Sequence, residues 1–229
     1  MQDGDDIGGP EGLPDPEGDA PGHDLVIILG VFAEGGLAPL AVLLGWALSR
    51  SPLQGFSWDF RGALLGMVAA VPPLLAMLTL LRHPFGRFVQ VKTFFQDELL
   101  PLLNNCRWDD LVLIAIATGV GEEMLFRGLF QPTLAEDLGS PAAVLITSLL
   151  FAALHPISIP YFYVMLALGI YLGALCVLSG NLLTSMMCHG TYNFLLLARL
   201  LRLHDPNRPM RNPIQAIDPE RPIDDHDEP

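Results

Sequence analysis

Charged and polar side chains inside apolar runs are the residues of this chain with the means to do chemistry, and they come in three spaced groups. GVGEEMLFRGLF holds Glu122, Glu123 and Arg127, flanked by Gly119, Gly121 and Gly128. FAALHP places Phe151 and His155 at i,i+4, and NLLTSMMCHGTYNF does the same with His189 and Asn193. On a helix, Glu123 and Arg127 share a face and can pair, while Glu122 points about 100° away and keeps its carboxylate free. A charge inside a membrane helix costs roughly 3 kcal/mol on insertion scales, so such groups need a reason to be there. Two histidines, a free carboxylate and an amide from three segments could bind a metal as two His plus one carboxylate, or could activate water directly.

The elements that carry these groups read as membrane helices. The chain has 229 residues, of which 51% are hydrophobic and 16% charged, and its mean hydropathy is +0.43. That is too apolar for an ordinary soluble domain. The net charge of −13 sits mostly in two tails, with eight acidic residues and no Lys or Arg in 1–24 and seven acidic against three Arg in 205–229. A nearly neutral body between acidic tails offers no basic surface for phosphates, so nucleic acid is excluded as a partner. Cys106, Cys176 and Cys188 are too few for a disulfide-stapled fold.

The expected fold class is therefore all-α, a polytopic transmembrane bundle of about six spans. The apolar segments are Leu25–Ser49, Gly62–Leu81, Asp110–Gln131, Pro141–His155, Tyr161–Ser179 and Leu182–Leu203. Phe88–Asn104 mixes apolar residues with Lys92, Asp97 and Glu98, and reads either as an amphipathic interfacial helix or as a short irregular span. Pro72-Pro73 should kink the second segment. The organisation expected is a disordered acidic tail over 1–24, N-terminal spans with the amphipathic segment over 25–107, a helical core over 108–203 and a second disordered tail over 204–229. Lys and Arg counts in the short loops put both termini in the cytoplasm if six segments cross.

Other polar residues have simpler readings. Glu34 in the first segment is expected to make a buried contact or to mark a re-entrant stretch near Gly35-Gly36. Cys188 points about 100° from His189 and reads as packing. His23, His83, His204 and His226 lie in tails or basic loops and should be solvated.

Taken in order, EExxxR (Glu122 to Arg127), FxxxH (Phe151 to His155) and HxxxN (His189 to Asn193) resemble the three motifs of the CPBP group. This group comprises the CAAX prenyl proteases and bacteriocin-processing proteases, also called the Abi family of intramembrane metalloproteases. The resemblance covers about residues 108–200. It implies peptide hydrolysis inside a helical bundle of a multi-pass protein, in a bacterial inner membrane, with a membrane-associated peptide or protein as substrate and the lipid bilayer as surroundings. On that reading Glu122 activates water with help from His155, and Glu123 and Arg127 hold the geometry. His189 and Asn193 ligate a metal or stabilise the oxyanion. Glu122, His155 and His189 would then be the ligands of a Zn2+, with a metal-free glutamate mechanism as the alternative. Two other classes compete: a non-catalytic scaffold of the same fold, which intact motifs disfavour, and a small ion or proton-coupled transporter, which lacks an evident inverted repeat.

Counting 1.5 Å per residue along each segment sets Glu122, His155 and His189 at different depths. If they meet, the helices must be tilted, shifted or broken.

Overall fold

The structure is a computed structural model and describes residues 30–103 and 106–204. Among them it is helical throughout, with no strand. α1 is Gly30–Ala47 and α2 is Phe60–Arg82. α3 is a short run made of Val89–Thr93, Phe94–Leu99 and Leu100–Leu102. α4 begins as Trp108–Glu123, widens into a π-helical stretch over Met124–Phe130 and ends as Gln131–Leu138. α5 is Ser140–Ala153, α6 is Ile159–Ser179 and α7 is Leu182–His204. The acidic tails, including His23 and His226, lie outside the described residues.

Local chemistry sets the helix ends. Asp59 accepts hydrogen bonds from the amides of Arg61 and Gly62 at the start of α2, satisfying donors that the first turn leaves open. The Asp110 carboxylate closes the start of α4 by accepting from Arg107 N at 2.7 Å. Ser158 caps α6, Pro160 sits in its first turn, and Gly180 ends it with φ +64°, a conformation that costs glycine little. α2 is interrupted at Ala70, and Pro72 and Pro73 occupy the first turn of its second half. This is the break expected of residues that cannot donate back to the preceding turn.

The distribution of side chains is inverted relative to a soluble bundle. Trp46, Phe60, Val68, Leu75, Ile116 and Leu178 are exposed, while Glu122, Glu123, Arg127, Gln131 and His189 are buried. An apolar exterior, with the charged groups drawn into the bundle, is what lipid surroundings demand. α1, α2 and α6 are each long and apolar enough to cross a bilayer, and α5 is a shorter apolar helix. α4 and α7 carry the polar groups and do not reach that apolarity.

α7 lies against α2 and α4, α5 and α6 pair, and α1 leans on α4 around its π-helical stretch. The meeting of α4 and α7 depends on Gly119, where an added Cβ would come within 2.9 Å of Gly190 N and Met186 O.

Several expected boundaries move. α4 runs from Trp108 to Leu138 where Asp110–Gln131 was expected, because the π-helical stretch absorbs extra residues without ending the helix. α5 stops at Ala153 and leaves His155 just beyond it. The segment after Phe88 is amphipathic: Val91, Phe95, Leu100 and Leu103 are buried while Gln96, Asp97 and Glu98 are exposed.

Helix length also removes the depth conflict. α5 has 14 residues, about 21 Å of rise, less than the roughly 30 Å of a bilayer core, and His155 just past its end lies 3.8 Å from Glu122.

Candidate active site

Glu123 is the anchor. It is fully buried, and its Oε1 receives Arg127 Nη1 at 2.9 Å; the two side chains are 0% and 1% exposed. The i,i+4 pairing expected from the sequence forms, although the turn between the partners is wider than an α-turn. Arg127 also donates Nη2 to the carbonyl of Gly169 at 2.9 Å, and its guanidinium lies 4.8 Å from the centre of the Phe151 ring. Two further donors complete the carboxylate: Ser185 Oγ donates to Oε2, and His189 Nδ1 lies 2.9 Å from Oε1. A buried charge held by Arg, Ser and His is paired and solvated by the protein itself.

That arrangement orients His189. Glu123 is an acceptor, so a proton is on Nδ1 and Nε2 is turned towards Glu122. His155 is fixed in the same way. Its Nδ1 lies 2.7 Å from the carbonyl of Phe151, which can only accept, and its ring packs 4.8 Å from that of Phe151. The FxxxH spacing thus supplies both the ring shelf and the carbonyl that orient the histidine.

Both free Nε2 atoms face Glu122, at 3.8 Å for His155 and 3.7 Å for His189. Glu122 is 4% exposed, and its Oε2 has no hydrogen-bond partner among the described residues. The separations exceed a direct hydrogen bond and suit a water bridging carboxylate and imidazoles. Asn193, one turn along α7 from His189, lines the same cavity of about 410 Å³ with Glu122, His155 and His189.

All six expected residues therefore sit at one place, four facing the cavity and Glu123 with Arg127 behind them. Two others were not singled out for this role. Ser185 is buried and shares a face of α7 with His189 at i,i+4, a spacing that was there to be read. Glu34 was expected in a buried contact; it lines the cavity and its carboxyl reaches that of Glu122. The approach is close because Gly121 lacks a side chain: a Cβ there would lie 2.1 Å from the Glu34 carbonyl oxygen. Cys188 is fully buried and takes no part, in line with its reading as packing.

Ser185→Ala removes one of the donors to Glu123 without touching the cavity. It should lower stability by about 1–3 kcal/mol, the usual cost of an unsatisfied buried polar partner. Thermal or denaturant unfolding in detergent measures it, and a variant as stable as the parent would remove Ser185 from the anchor.

The family model described as type II CAAX prenyl endopeptidase Rce1-like matches residues 105–195. No curated protein and no solved structure matches the chain. The match opens just before α4 and closes two residues past Asn193, so it holds all three motifs and leaves out α1, α2 and Glu34. By family match and by motif alike, residues 105–195 are similar to the type II CAAX prenyl endopeptidases.

Proposed function

We propose that the protein is an intramembrane endopeptidase that hydrolyses a peptide bond of a membrane-associated peptide or protein, using water activated by Glu122. The observation that carries this reading is the buried Glu122 carboxylate with an unpartnered oxygen, opposed by two imidazole nitrogens whose other protons are already committed. A water held between them can lose a proton to Glu122 as its oxygen adds to the carbonyl carbon. The carbonyl π-electrons become the oxyanion. When the C–N bond breaks, Glu122 returns its proton to the departing amine. Glu123, Arg127 and Ser185 fix His189, and the Phe151 carbonyl fixes His155. In a bacterium the site lies in the inner membrane.

The family resemblance implies a metal, and the donor set suits one. His155 and His189 offer neutral nitrogens backed by an oxygen acceptor on Nδ1, the outer-shell arrangement usual for zinc-binding histidines, and Glu122 adds a carboxylate. Zn2+ held by Glu122, His155 and His189 would supply Lewis-acid polarisation. Among the described residues no three such side chains stand at metal-ligating spacing, and this favours a second reading in which Glu122 and the histidines hold the water without metal. Elemental analysis separates the two. The zinc reading expects close to one zinc per purified chain, less in His155→Ala and His189→Ala, and loss of cleavage with a chelator. Full activity in metal-free protein would leave only the second reading.

The function itself is tested by substrate capture. Glu122→Gln protein in native membranes should retain a peptide or protein that wild type cuts at a defined bond. Retention of the same partners by both, with no cleaved product from wild type, would favour the scaffold reading instead.

A further inference from the structure

Attack on a peptide carbonyl leaves negative charge on its oxygen, and that charge needs proton donors aimed into the cavity. The site as built is short of them. The carboxyls of Glu34 and Glu122 face one another. The Nδ1 proton of His155 is directed to the Phe151 carbonyl and that of His189 to Glu123. Thr118 lines the cavity too, but its hydroxyl donates to the Ile114 carbonyl at 2.9 Å. The neutral side-chain donors that line the cavity beyond these are the Asn193 amide and two tyrosines, Tyr161 and Tyr192.

Of the two, Tyr161 is the one beside the reacting groups. It stands in the first turn of α6, where its amide donates to the capping Ser158 Oγ at 3.2 Å. Its ring is held between Phe94 at 5.6 Å, Phe95 at 6.2 Å and His155 at 6.4 Å, centre to centre. The residue is 8% exposed, and its hydroxyl makes no hydrogen bond among the described residues. That hydroxyl lies close enough to feel the charges of Glu122 and Glu34. Tyr192 feels neither carboxylate to the same degree, and it also borders the neighbouring apolar groove against α2.

We propose that Tyr161 is a further catalytic residue, its hydroxyl donating a hydrogen bond to the oxyanion formed on the scissile carbonyl, with Asn193 as the second donor. The inference rests on the hydrolytic reading above. No proton is transferred from Tyr161: the water proton goes to Glu122, and the phenol only strengthens its hydrogen bond as the carbonyl oxygen becomes charged. A packed aromatic cage holds the ring, so the donor is positioned before substrate arrives.

Tyr161→Phe keeps the ring and removes the donor. Measured on a peptide that wild type cleaves, the expected result is a fall in kcat of about 10²–10³-fold, the range for loss of one oxyanion donor, with KM and melting temperature near the parent's. Tyr192→Phe should cleave at close to the parental rate. If Tyr161→Phe proves unstable, fluorotyrosine at position 161 keeps fold and ring while making the hydroxyl more acidic, and kcat should then change with that acidity. A Tyr161→Phe protein as fast as wild type, or a fluorotyrosine protein with unaltered kcat, overturns the assignment. A loss confined to Tyr192→Phe does the same. When Glu122→Gln is inactive in the same assay, such results refute the tyrosine alone; when wild type cleaves nothing, the hydrolytic reading fails and the tyrosine role with it.

Discussion

Glu122→Gln is expected to lose cleavage by about 10²–10⁴-fold, the range for removal of a general base, while remaining as stable as the parent or more so. The two halves of this expectation come from the same geometry. Glu122 has a buried oxygen without a partner and faces the Glu34 carboxyl across the cavity. Arg127, the cation nearest at hand, makes its hydrogen bonds to Glu123 and the Gly169 carbonyl and none to Glu122. Replacing the carboxylate with a neutral amide of the same shape relieves that repulsion and leaves the anchor untouched. What disappears is the group that takes the proton from water. Melting temperature in detergent and turnover of a captured substrate are the two measurements. A variant that cleaves at the parental rate would exclude Glu122 as the base, and one that unfolds would mean the carboxylate is structural.

Much of the site could be read in the sequence because its groups are paired by local spacing. Glu123 with Arg127, Phe151 with His155 and His189 with Asn193 are each separated by one helical turn, and a helix brings such residues together whatever the rest of the fold does. Pro156 disfavours helix in the residue before it, and His155 stands there, just past the end of α5. The contacts that were not legible are those between segments. Nothing in the spacing says that α5 is short enough to bring His155 level with Glu122, or that Ser185 reaches across to Glu123. The π-helical stretch after Glu123 left no mark in a pattern read at 3.6 residues per turn. Glu34 belongs to the same class. Its place in the cavity follows from Gly121 letting α1 approach α4, a contact between residues 87 positions apart in the sequence.

Two adjacent glutamates should then answer mutation in opposite ways, and Arg127 gives the sharper test. Arg127→Ala strips Glu123 of its arginine partner, opens the bond to the Gly169 carbonyl between α4 and α6, and removes the guanidinium from the Phe151 ring. Breaking a buried pair from one side costs about 3–5 kcal/mol, because the charge left behind is desolvated and unpaired. Against the 5–15 kcal/mol that separates folded from unfolded protein, that is enough to empty much of the native state. The variant should express poorly, melt early in detergent and lose activity through loss of fold. A double variant discriminates this from a general packing defect. Arg127→Met with Glu123→Gln removes both charges and keeps most of the volume, so it should be more stable than Arg127→Ala alone, with a favourable coupling between the two positions. Activity should stay low in the double variant, since His189 has lost the carboxylate that fixes its Nδ1 proton. An Arg127→Ala protein as stable as wild type, or a double variant no better than the single one, would mean that Glu123 is held by Ser185 and His189 without the arginine.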